Sequence, residues 1–104
     1  MDRDTAVKKL RRFKEKVIAD IPISHMYFFG SRVTGKPTKY SDIDLVIVSP
    51  YFNKLNFFKR GAKMYDYWDS RYPVDFLCYT PKEFNRLKSQ VTIVKEATET
   101  GMEI

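Results

Sequence analysis

Cysteine is almost missing from this chain: Cys78 is the single one in 104 residues. No internal disulfide can form, and the usage suits a reducing compartment. Histidine is equally scarce. His25, with no Cys or His companion, reads as a strand-edge or surface residue and takes no role. No apolar run is long enough to span a bilayer and no signal peptide is visible, so a soluble cytoplasmic protein with no membrane partner is expected. Repeats, low-complexity segments and interdomain linkers are also lacking. At 12.3 kDa, the expectation is one small domain over residues 1–104 with a single core.

What is abundant is positive charge. Nineteen Lys and Arg against thirteen Asp and Glu leave a net charge of +6 and a pI near 9.5. An anionic partner follows, whether a nucleotide, RNA or an acidic protein face. The densest basic group, Lys8, Lys9, Arg11, Arg12, Lys14 and Lys16, reads as a solvated helix face rather than a nucleic-acid stripe.

Periodicity places the elements. Asp2 or Asp4 can cap a first helix reaching about Asp20, with Val7, Leu10, Phe13, Val17, Ile18 and Ile21 as its apolar stripe and Pro22 as its stop. Residues 23–29 read as a strand, and 43–49 as a second that halts at Pro50. Between them the chain turns on Gly30-Ser31, residues 31–33 should begin a short helix, and Gly35-Lys36-Pro37-Thr38 is turn chemistry. Phe58, Ala62, Tyr65 and Trp68 predict a helix over 56–70. The rings between Tyr51 and Trp68 exceed what a small core readily buries, which leaves some for a partner surface. Lys59, Arg60 and Lys63 on that helix read as a solvated face sooner than as phosphate contacts. Residues 73–79 form a third strand, with Cys78 as a small core residue. Thr80, Pro81 and Glu83 spell a capping box. A last helix over 91–99 should stop at Gly101 and leave 102–104 for a short strand.

Two carboxylates sit where the second strand begins. Side chains alternate along a strand, so Asp42 and Asp44 share a face while Ile43 and Leu45 turn into the core. Their Cα atoms are roughly 6.6 Å apart, within reach of shared divalent cations. A turn at Ser41-Asp42 would explain Asp42. It leaves Asp44 unexplained inside an apolar run, where two like charges are hard to desolvate. Asp75 interrupts the third strand in the same way, and a buried unpaired carboxylate there would be costly.

Gly30-Ser31, ten intervening residues, then Asp42-Ile43-Asp44 resembles the signature of the polymerase-β-like nucleotidyltransferase superfamily. The form Gly-Ser-Arg-x-x-Gly ending in Ser-Asp-Ile-Asp-Leu is most similar to the minimal nucleotidyltransferases of bacteria and archaea. The resemblance implies an α/β (α+β) fold, a small mixed sheet flanked by helices. It implies ATP as substrate and one or two Mg²⁺ ions, roughly 3.5–4 Å apart if both are present. On these positions Asp42, Asp44 and Asp75 would be the metal-binding and catalytic triad. Asp75 would bind the metal nearest the attacking hydroxyl and could accept its proton, directly or through water. Gly30 and Ser31 would seat phosphate oxygens close to the backbone and a helix N-terminus, with Arg32 beside them.

The minimal members commonly work beside a helical HEPN-domain protein as the antitoxin of a toxin–antitoxin pair. The resemblance therefore implies transfer of AMP (AMPylation) to a tyrosine of that toxin, an RNase. Two rival readings stay open: a non-catalytic antitoxin that neutralises its partner by contact, and a small basic RNA-binding protein. The second ranks last, because clustered acidic residues make a poor surface for phosphodiester backbones without metal. The sequence leaves the acceptor, base preference, partner identity and oligomeric state open, a homo-oligomer included.

Overall fold

Short runs of β-branched and aromatic residues alternating with helical segments produce a sheet with helices on both faces. The computed structural model describes residues 2–30, 43–90 and 92–104. In chain order these form helix α1 (Arg3–Ile18), strands β1 (His25–Phe29) and β2 (Ile43–Val48), a 3₁₀ turn (Pro50–Lys54), helix α2 (Phe57–Tyr65), strand β3 (Val74–Tyr79), helices α3 (Pro81–Leu87) and α4 (Ile93–Thr100), and strand β4 (Met102–Glu103). The sheet order is β3-β2-β1-β4. β1 runs antiparallel to β2 and β4, and β2 runs parallel to β3. This is the mixed α+β sheet expected from the sequence.

The two sheet faces bury different residues. Met26, Phe28, Ile43, Leu45, Ile47, Val74 and Cys78 pack under α1, with Phe52 and Met64 completing that layer. Phe29, Val46 and Val48 pack on the other face with Phe84, Val94 and Ala97 of α3 and α4. Burial on both faces explains why β2 reads as a nearly unbroken apolar run rather than a clean alternation. Ile43 and Leu45 are fully buried, as expected.

Several boundaries differ from the sequence reading. Asp2 caps α1, its carboxylate accepting from the Thr5 amide at 2.8 Å. The helix ends at Ile18, because the Asp20 and Ile21 amides both turn onto the Val17 carbonyl. That turn carries Ile21 into the core, while Ile18 stays 51% exposed, one helical step out of phase with Val17. β1 starts at His25 rather than residue 23. His25 already pairs with Val48, and β2 ends there before Pro50, which has no amide to extend the ladder. His25 is the first residue of β1, an interior strand, with its ring half-exposed at the surface and 3.0 Å from Glu103.

Helix α2 is the largest correction. It spans Phe57–Tyr65, with Asn56 as its cap, and stops well before residue 70. Beyond it Trp68 is required elsewhere, its indole donating to the Tyr72 carbonyl at 2.8 Å. The buried stripe is Arg60, Met64 and Trp68, not the one through Phe58 and Tyr65; Phe58 is 88% exposed. Arg60 is therefore neither solvated nor a phosphate contact. Its guanidinium donates to the Leu55 and Cys78 carbonyls and to Glu83 at 2.7 Å.

The edge strand explains why a polar residue occupies that stripe. Pro73 and Tyr79 turn their carbonyls toward the β2 side, so alternate residues of β3 present theirs outward. Helix α2 covers this open edge: Tyr65 bonds the backbone of Val74, and Arg60 bonds the Cys78 carbonyl. An edge closed in this way offers no template for pairing with another chain.

The C-terminal elements follow the sequence reading closely. The Thr80 amide donates to Glu83 at 2.8 Å, and the Glu83 amide donates to the Thr80 hydroxyl, completing the capping box. Thr92 caps α4, and Gly101 ends it without a left-handed φ. Glycine is needed there for close approach, since a Cβ would press on the Ala97 and Phe28 carbonyls.

Cys78 is 2% exposed, and its burial pushes the thiol pKa up to about 12. The thiolate is the nucleophile, so Cys78 in the native protein at pH 8 should resist a soluble disulfide reagent for hours. It should react within minutes in urea. Rapid native labelling, followed spectrophotometrically, would contradict this burial.

Candidate active site

A parallel ladder places directly paired residues on the same face, about 4.8 Å apart between strands. In the β2–β3 ladder Asp44 pairs with Asp75. Both interrupt apolar strands near their first residues, so the two carboxylates come to one end of one sheet face. The same face carries Val46, Val48 and Leu77 further along, under α3 and α4. Asp44 is partly buried and Asp75 exposed. Phe29 is the partner of Asp44 on the other side, which brings Gly30 to the same corner.

Gly30 adopts φ +91°, a left-handed conformation that L side chains rarely adopt. A Cβ built there would run into the Asp44 carboxylate. The missing side chain therefore serves twice, in turning the chain out of β1 and in making room for Asp44. The sequence supplied the first reason; the second becomes visible only once β1 and β2 are paired.

Three of the residues singled out from the sequence, Ser31, Arg32 and Asp42, lie outside the described residues, as does the short helix expected at 31–33. Gly30, Asp44 and Asp75 converge. Among the described residues no set of three Asp, Glu, His or Cys side chains gathers for a metal, and Asp44 with Asp75 supplies two oxygen donors of the expected three. Oxygen donors at such spacing, with a glycine cradle beside them, suit a hard divalent ion such as Mg²⁺.

Substituting Gly30 by Ala should combine backbone strain of about 1–2 kcal/mol with displacement of the Asp44 carboxylate. Misplacement by about 1 Å can cost 10²-fold in rate. The expected outcome is a loss of nucleotidyl transfer of that order with only a modest fall in Tm. Transfer within threefold of the parent chain, measured by nucleotide incorporation, would contradict the crowding.

With this geometry in hand, comparison with known proteins is informative. Residues 10–99 match the nucleotidyltransferase domain family. Over 87 residues the chain is 34% identical to the Haemophilus influenzae protein named "Probable protein adenylyltransferase MntA", covering 80% of this chain and 75% of that one. Its fold superposes, with a TM-score of 0.65 and 28% identity, on a crystal structure of a Sulfolobus solfataricus protein assigned as a nucleotidyltransferase. That match covers 86% of this chain and 79% of the other. None of the described helices is long and apolar enough to cross a membrane. Family, fold and the paired carboxylates beside Gly30 agree, and the chain belongs to the nucleotidyltransferase domain family as an enzyme acting on a nucleotide substrate.

Proposed function

We propose that this enzyme transfers AMP from ATP to a tyrosine hydroxyl of a partner protein, with Mg²⁺ bound by Asp42, Asp44 and Asp75. The observation that carries the site is the direct pairing of Asp44 with Asp75 beside Gly30. The sequence spacing adds Asp42, two residues before Asp44, as the third donor. Bound Mg²⁺ would neutralise charge on the phosphate oxygens. Gly30 and Ser31 would seat the β- and γ-phosphates, with Arg32 as a further cationic contact.

In the reaction the tyrosine oxygen attacks the α-phosphorus and the bond to the bridging oxygen of the β-phosphate breaks. Pyrophosphate leaves, and the phenolic proton passes to the Asp75 carboxylate, directly or through a water. A carboxylate exposed at the strand start can receive that proton and release it to solvent.

The acceptor we assign is a HEPN-domain toxin encoded beside this chain, with modification blocking its RNase activity; the chain then acts as antitoxin in the cytoplasm. The resemblance noted in the sequence supports this, and the name of the Haemophilus relative, "Probable protein adenylyltransferase MntA", supports a protein as the acceptor of AMP. The test is intact-protein mass spectrometry of that neighbour after incubation with the enzyme, ATP and Mg²⁺. A gain of one AMP on tyrosine, prevented by EDTA, is expected. A neighbour neutralised without any change in mass would replace this reading with inhibition by contact.

A further inference from the structure

We infer that Tyr65 is a positioning residue for Asp75, acting through the backbone of Val74; the inference rests on Asp75 belonging to the nucleotide site proposed above. Among the described residues β3 is an edge strand, bonded to β2 on one side only. On that side the Ile43 amide donates to the Pro73 carbonyl at 3.1 Å. On the open side no described strand holds Val74. The Tyr65 hydroxyl takes that place. It donates to the Val74 carbonyl at 2.5 Å and accepts from the Val74 amide at 3.1 Å. The Val74 carbonyl belongs to the peptide unit that leads directly into Asp75. One hydroxyl thus satisfies both outward groups of the residue before the carboxylate and sets the orientation of that peptide.

The surroundings make this anchor consequential. The chain entering β3 from residue 66 is irregular; the Trp68 indole and Ser70 hydroxyl hold it at Tyr72, and Tyr65 holds the next outward backbone pair, at Val74. The Tyr65 ring is fixed independently, edge-on to Phe76 with centroids 4.8 Å apart. The hydroxyl is therefore held from both the helix and the strand, although Tyr65 is 47% exposed. Its structural work alone would be served by any edge cover. Its placement one residue from Asp75 links it to the site. Outer-shell partners of metal-binding groups typically contribute about 10–100-fold in affinity or activity.

The decisive variant is Tyr65→Phe, which keeps the ring and removes only the hydroxyl, tested alone and in an Asp75→Asn background. Two readouts are used: ATP affinity in saturating Mn²⁺ by calorimetry, and hydrogen exchange of the Val74 and Asp75 amides without ligand. Expected is a loss of affinity of about tenfold in the parent chain, under twofold once Asp75 is Asn, because coupled residues are not additive. Amide exchange at 74 and 75 should accelerate while α1 keeps its protection. Equal losses in both backgrounds, or no loss in either despite an effect of Asp75→Asn, would overturn the positioning role alone. An Asp75→Asn variant that binds ATP like the parent would overturn the site reading and this inference with it.

Discussion

Replacing Asp44 by Asn should lower nucleotidyl transfer by about 10³-fold or more, roughly 4 kcal/mol of transition-state stabilisation, and leave the fold intact. Asn is nearly isosteric, so the Phe29 and Asp75 pairings of β2 survive. What disappears is a negative oxygen donor in the proposed metal site, where a bound cation would stabilise developing charge by several kcal/mol. Without ligands the variant should melt close to the parent temperature. The Tm increase produced by ATP with Mg²⁺ should vanish, because a ligand stabilises only the state that binds it. Loss of transfer with unchanged ligand-free Tm separates a site residue from a structural one. Transfer retained within tenfold would remove Asp44 from the site.

Arg60→Met should have a large effect on stability, about 3 kcal/mol, the low end of the range for breaking a buried ion pair because the Glu83 side chain is 33% exposed. In a domain of this size that corresponds to a Tm lower by roughly 12–24 °C. Arg60 is 7% exposed and satisfies two carbonyls besides Glu83. Methionine fills much of the same volume but leaves the Cys78 carbonyl without its donor at the open edge of β3. Urea unfolding would measure the loss, and a value under 1 kcal/mol would show that water replaces the guanidinium at that edge.

The same pair gives a pH signature. Burial alone would raise the Glu83 pKa, but the Thr80 amide and the Arg60 guanidinium outweigh it and hold the carboxyl below its ordinary value of 4.5. A depressed folded-state pKa contributes stability above the unfolded value, which is lost as pH falls through the folded one. The parent chain should lose this contribution below about pH 4.5, and Arg60→Met should show a shallower fall across the same window.

The carboxylate end of the site was legible because its residues break a pattern. Asp44 and Asp75 interrupt runs of apolar residues, and an interruption of that kind is costly enough to require a reason. Gly30 was legible as a turn, and the caps at Asp2 and Thr80 follow local rules that act within one helical turn. The phase of α2 was not legible. Apolar periodicity selects Phe58 and Tyr65, and it cannot anticipate that the buried stripe contains an arginine. Arg60 is inside because the edge of a strand eighteen residues away needs a donor. Tyr65 and Val74 are nine residues apart with no spacing that marks them as partners. Ile18 shows the same limit in α1: two adjacent apolar residues compete for one stripe, and the sheet beneath decides which is buried.

Among the described residues, the sequence by itself determined the order of the strands and main helices, where most helices begin, and that Asp44 and Asp75 interrupt apolar strands. These are local consequences of side-chain alternation, capping and the cost of burying charge. Only the tertiary structure decided that β2 and β3 run parallel in a register pairing Asp44 with Asp75, that Gly30 must lack a side chain to clear Asp44, and that α2 turns Arg60 and Tyr65 onto an open strand edge. Register and helix phase come from satisfying backbone groups and filling volume between elements distant in the chain, and no local residue pattern encodes those contacts.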